Sequence, residues 1–205
     1  MSFWLKRFAY RCLQRVMVLE RVTVMIAETS KLAAESINGQ AERISVAKLK
    51  RFIESGEARY CEELVERLDD PRLSCFAVTA AERLSSFAWF FQGSAEAGMN
   101  YGRLKATATA IELDERSVFV FHAYTAADSR GVGLMREVLC CAANELAESS
   151  GVNWFVATTE SLNTSALRAF GRTGFQEIGH YTRYGIGRRV FGSYPKPVPP
   201  IQSFG

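Results

Sequence analysis

Hydrophobic and polar positions along this chain change period several times, and each change marks an element. From 3 to 20 the spacing is helical: Leu5, Phe8, Ala9, Cys12, Leu13, Val16 and Met17 form one stripe, and Lys6, Arg7, Arg11 and Arg15 form the other. Val22–Ala27 reads as a first strand, and residues 29–45, small and polar, as a loop with a helical piece. Glu57–Asp69 predicts a helix stopped before Pro71, with Tyr60, Leu64, Val65 and Leu68 as its apolar face. Two strands follow, Cys75–Thr79 and Leu84–Phe91, joined by Ala80-Ala81-Glu82. After the small-residue loop Gly93–Gly102, the alternation of Leu104–Leu113 predicts another strand.

The stretch Ser117–Met135 organises the rest. Ser117–Thr125 is β-branched and aromatic, with His122 its only strongly polar interior residue. Ala126–Ser129 is a turn whose Asp-Ser pair can bond its own backbone. Arg130-Gly131-Val132-Gly133 then opens a helix that carries apolar residues from Leu134 to about Ser149 and is closed by Gly151. Two glycines at a helix N-terminus let main-chain amides approach an anion, which the helix dipole also attracts. Asn153–Thr159 is a buried strand, so its crossover from the first should be right-handed and parallel. Asn163 N-caps a short helix with Ala166, Leu167 and Phe170 inward. Gly174-Phe175 ends it, and strands are predicted at Gln176–His180 and Tyr184–Phe191. Four of the five prolines lie within Pro195–Pro200, an extended tail.

Composition narrows the class. A chain of 205 residues, 48% hydrophobic and 23% charged, is expected to make one soluble globular domain, or one domain with appendages. No apolar run is long enough to span a bilayer, and Arg11 and Arg15 interrupt what would otherwise resemble a signal sequence. Five cysteines without a CxxC or a Cys/His cluster read as reduced thiols, and a cytoplasmic location is expected. The net charge of +3 is unevenly placed: residues 1–24 carry five basic side chains against Glu20, leaving the rest slightly acidic. That distribution argues against a nucleic-acid partner, which needs a basic main-domain face. The basic N-terminal helix beside Phe3, Trp4 and Phe8 has the pattern of peripheral membrane contact; packing on its own domain or in a homodimer is the alternative, and half-burial is the commoner fate. Glu62, Glu63, Glu66, Asp69 and Asp70 lack a histidine companion and read as a solvated face, so no metal is expected.

Taken in order, a strand, an Arg-Gly-x-Gly turn into a helix, a parallel strand and Asn163-x-x-Ala-x-x-x-Phe-x-Arg-x-Gly-Phe resemble the GCN5-related N-acetyltransferase (GNAT) superfamily over about residues 74–190. The resemblance implies an α/β (α+β) fold with a mixed, centrally splayed β-sheet flanked by helices. It divides the chain into 1–28, a basic amphipathic helix and first strand; 29–194, the acyltransferase domain; and 195–205, a Pro-rich tail. It implies acetyl-CoA, or another acyl-CoA, as co-substrate, with the amides of Arg130, Gly131, Val132, Gly133, Leu134 and Met135 around the diphosphate. Backbone groups of Ala123 and Thr125 would pair with the pantetheine arm, and Asn163 would touch it. The family's turn has the pattern Gln/Arg-x-x-Gly-x-Gly/Ala; Arg130-x-x-Gly133 matches its first half, and Met135 stands where a small residue is usual. A sub-pattern, Thr125-x-x-Asp128-x-Arg130-Gly131-x-Gly133-Leu134, looks like acetyltransferases of surface-polysaccharide synthesis, which implies an amino sugar or another small amine as acceptor.

Acyl transfer to an amine needs a neutral amine, a polarised carbonyl and a proton for the leaving thiolate. His122 is the candidate base, with a hydrogen-bonded core histidine as the alternative. The family's tyrosine is replaced by Phe170, so Tyr124 and Tyr181 are the candidate acids; period-two counting puts Tyr124 on the face of His122. Trp89, Phe91 and the Gly93–Gly102 loop are expected to build the acceptor pocket. A module that binds acyl-CoA without turnover is the competing reading. A dinucleotide-binding domain is disfavoured, because the turn lacks G-x-G-x-x-G and follows an antiparallel meander.

Overall fold

The computed structural model describes residues 17–34, 39–58, 61–102, 105–186 and 189–192. Its strands are β1 (Met17–Glu28), β2 (Ala41–Arg43), β3 (Leu73–Ala80), β4 (Arg83–Gln92), β5 (Ser117–Thr125), β6 (Trp154–Glu160), β7 (Gln176–Ile186) and β8 (Arg189–Gly192). The helices are α1 (Thr29–Ala33), α2 (Val46–Glu54), α3 (Leu134–Ser150) and α4 (Thr164–Arg172). All eight strands form one mixed sheet in the order β2-β3-β4-β5-β6-β1-β7-β8. Only β5 and β6 run parallel, joined through α3 as the right-handed crossover requires.

Strand alternation sends successive side chains to two cores. One face gathers Val22, Val24, Trp89, Phe119, Phe121, Val156 and Tyr181 under α2 and the loops around Leu64, Met99 and Ile111. The other gathers Met25, Phe76, Phe90, Val120, Phe155 and Ala157 under α1, α3 and α4, where Val138, Leu139, Ala142 and Phe170 point inward. The predicted β3, β4, β5, β6 and α3 stand within a few residues of their expected bounds. Gly151 closes α3 in the left-handed region at φ 62°.

Four expectations are corrected. Met17–Glu20, read as the end of a helix, belongs to β1, because β7 offers it a ladder from Met17↔Ile186 onward; 3–16, like the tail, lies outside the described residues. Among the described residues of 57–69 the one helical piece is a 3-10 turn, Glu62–Arg67, and the Glu57 carboxylate is taken by the amide of Leu84 at 2.9 Å. The regular helix lies earlier, in α2, where Ser45 caps and Leu49 and Phe52 are buried. The described part of the predicted 104–113 strand, 105–113, is no strand: Thr107 and Thr109 spend their hydroxyls on local backbone bonds, and the one bridge among the described residues is Ala95↔Ile111. Finally, Gln176–Ile186 is continuous because β1 pairs along nearly its whole length.

Candidate functional site

The parallel ladder between β5 and β6 runs from Ser117↔Trp154 to Val120↔Ala157 and stops. Beyond that point β5 continues against β4 as far as Ser86↔Thr125, while β6 continues against β1 as far as Val22↔Glu160. The two central strands therefore part, and a wedge opens between them.

On the β5 side, Phe87 pairs with Tyr124 and Trp89 with Phe121, so His122 and Ala123 together oppose Ala88. This is a β-bulge, and His122 sits in the left-handed region at φ 46°. The bulge breaks period-two counting. The Tyr124 ring lies on Phe87 at 5.8 Å, whereas His122 lies against Phe121 at 5.2 Å and edge-on to Tyr101 at 5.9 Å. Past the bulge, Ala126 N–H bonds Ser85 C=O, so alternation turns the main-chain groups of Thr125 and Ala123 toward the wedge. The Thr125 carbonyl is held by Nε of Arg130 at 3.1 Å, and the exposed Arg130 side chain thus folds back over that edge.

At the wedge mouth, Gly131 and Gly133 adopt φ 85° and 89°, and a Cβ on either would meet nothing within 4 Å. The first helical bond of α3 is Glu137 N–H to Gly133 C=O at 3.2 Å, and the amides of the first turn, Gly133 to Met135, precede it. Residues 130–133 are exposed, and Leu134 and Met135 half-buried. An open glycine cradle with outward amides and a positive dipole end fits a diphosphate. Across the mouth, Asn163 Oδ1 accepts from Ala166 N–H at 3.2 Å and Ser165 Oγ at 2.8 Å, leaving its exposed side chain at the start of α4.

The opposite side is closed by the loop ending at Gly102. Asn100, 4% exposed, donates to Thr109 C=O and Tyr181 Oη and accepts from Thr158 of β6 at 2.9 Å. Its neighbour Tyr101 touches His122 of β5, so Asn100-Tyr101 bridges the parted strands. Behind them Arg183 Nη2 reaches Asn100 Oδ1 at 2.8 Å and Tyr181 Oη at 2.7 Å, while Nη1 lies 3.5 Å from the buried Glu20 carboxylate. Burial pushes the Tyr181 phenol above its ordinary pKa despite the nearby guanidinium, and its hydroxyl is engaged inside this network.

One other expectation changes. Trp89 and Phe91 are essentially fully buried, Trp89 donating to Cys61 Sγ at 3.1 Å and Phe91 lying under Arg67 and Arg72, so they are core rather than pocket wall. Phe170 is buried edge-on to Phe175 at 4.9 Å. Sequence reasoning named the Gly93–Gly102 loop without singling out Asn100 and Tyr101 in it, and missed Glu20 and Arg183. The signal for the charged pair was present: Glu20 interrupts the apolar row Val22, Val24, Ile26, and Arg183 follows Tyr181 at strand period.

No family model and no curated protein matches the chain. Solved structures do resemble it. A GNAT-family acetyltransferase from Novosphingobium aromaticivorans matches at 16% identity over 84% of this chain and 67% of its own, TM-score 0.51. A GCN5-related N-acetyltransferase from Kribbella flavida matches at 13% over 87% and 63%, TM-score 0.52; the chain thus spans about two thirds of the length of these two. The aminoglycoside N-acetyltransferase AAC(6')-Iy, in complex with CoA, matches at 16% over 68% and 92%, TM-score 0.50.

Proposed function

Starting from a chain that carries the fold of the GCN5-related N-acetyltransferases, we propose that this protein is an acyl-CoA-dependent N-acyltransferase. The simplest donor is acetyl-CoA, and the acceptor is a primary amine of a small molecule such as an amino sugar or cell-surface precursor. The observation that carries this reading is the wedge that opens after Val120 and Ala157 with a glycine cradle at its mouth.

The residues then divide the work. Amides from Arg130 to Met135 hold the diphosphate, and Arg130 releases the Thr125 carbonyl as the pantetheine arm takes its place along β5. Ala123 and Thr125 pair with that arm through main-chain groups, as an added strand would, and Asn163 touches it from α4. The bound thioester supplies the activated acyl group. At the bulge, the His122 imidazole accepts the proton of the incoming ammonium, directly or through one water. Tyr124, exposed at the strand edge, is the candidate donor to the departing thiolate.

One observation favours a second reading, an acyl-CoA-binding module without turnover: Phe170 is packed into the core and puts no hydroxyl in that helix. Thiol release from acetyl-CoA with a panel of amines, together with native mass spectrometry for bound CoA, separates the two. The enzyme reading expects turnover that drops by about 10²-fold or more in His122→Ala with CoA still bound. Binding without turnover in the wild type would support the module, and neither would reject both.

A further inference from the structure

Most ionisable groups in the described residues are at the surface, but one oppositely charged pair is not: the side chains of Glu20 and Arg183 are both 4% exposed. They face each other across β1 and β7, just past Val22↔Glu160, the last β1–β6 pair, where the sheet opens. Apolar residues of similar volume commonly stabilise such a place as well as a buried ion pair does. What the pair does differently is reach out of the sheet.

The Arg183 guanidinium spreads its donors over the loop: Nη2 to the carbonyl and the side-chain oxygen of Asn100, at 2.9 and 2.8 Å, and Nε to Thr109 Oγ1 at 3.2 Å. Only a planar fork serves these acceptors and Glu20 together. From the far side, Gly102 packs so closely on the Glu20 carboxylate that a Cβ there would overlap it. The loop is therefore gripped at Asn100, Gly102 and Thr109, and the residue between the first two grips is Tyr101.

We propose that the Glu20–Arg183 pair is a positioning element of the transfer site: through Asn100 it holds Tyr101 edge-on to His122 and so fixes the imidazole in the wedge. The inference rests on the acyltransferase reading for its catalytic consequence, though not for the coupling itself. It gives β1, a strand from the far end of the chain, a part in the site. An aromatic edge against the imidazole restrains ring orientation, which a base on a strained bulge residue needs.

The chain has two histidines, so imidazole proton resonances report His122 directly, with His180 as internal reference. Arg183→Lys keeps the charge opposite Glu20 but loses the fork; Thr158→Val leaves the ion pair intact and unties Asn100 from β6. Both are expected to shift the His122 resonances in the direction seen in Tyr101→Leu, in the protein without substrate. In turnover, Arg183→Lys should lose about tenfold in kcat with the KM for acetyl-CoA within about twofold, and lose nothing further in a Tyr101→Leu background. Unchanged His122 resonances in both variants, or losses that multiply in the double variant, would overturn the proposal. Coupled resonances in a protein without transferase activity would keep the coupling from Glu20–Arg183 to His122 and reject the acyltransferase reading instead.

Discussion

Asp70 shows how one side chain joins two segments. Its carboxylate holds Arg72 through Nη2 at 2.8 Å and Nε at 3.1 Å, with Arg67 at 3.7 Å, and both guanidiniums lie over the Phe91 ring. The Arg72 hydrogen bond, foremost, holds the Asp70 carboxyl below its ordinary pKa. A carboxylate lowered in the folded state stabilises above its unfolded pKa of ~3.9, and that contribution fades as the pH falls through the lower native value. Asp70→Asn should therefore cost about 1 kcal/mol near neutral pH, less than a buried pair would because the site is partly solvated. Urea unfolding across the acid range checks this: the gap between variant and wild type should close on acidification, and a constant gap would reject the charge explanation. Sequence shows such residues only as members of an acidic run; which member is gripped depends on where Arg67 and Arg72 finish in space.

Elements were legible where local pattern and tertiary environment agreed. β5 stands at its predicted bounds, Ser117–Thr125, because its first half, Val118–Phe121, is an unbroken apolar run buried on both faces and admits few alternatives. Leu104–Leu113 alternates as clearly, yet the hydroxyls of its buried Thr107 and Thr109 found backbone bonds nearer home. The β3–β4 hairpin was read correctly, but not the strain of its turn: Ala81 and Glu82 sit at φ 49° and 61° without being glycine or asparagine. A two-residue hairpin with both central residues left-handed favours Asn-Gly, so Ala81→Asn with Glu82→Gly should raise stability by about 1 kcal/mol. A higher urea midpoint at unchanged slope is the expected result, and a lower midpoint would contradict the turn geometry. The bulge at His122 was hidden for a related reason. It arises from the pairing of β4 with β5, which no count along β5 alone contains.

At the scale of the molecule, the sheet places β1 between β6 and β7, so the chain's first described strand completes the site's far wall. That pairing joins residues more than a hundred positions apart, and nothing local in Met17–Glu28 selects it. The parallel crossover and the glycine turn, by contrast, were legible because their residues are contiguous and their geometry is dictated by strand, turn and helix chemistry. The proposed function stands on that turn: the amides at the start of α3 are where the diphosphate of CoA is expected to bind. Gly133→Glu puts a side chain into open space, at a backbone strain of about 1–2 kcal/mol, and a carboxylate where the diphosphate belongs. Titration calorimetry with CoA should show saturable binding to the wild type, and affinity lowered by about tenfold or more in Gly133→Glu with its circular dichroism unchanged. A wild type that binds no CoA, or a folded Gly133→Glu that binds it as tightly, would contradict the account.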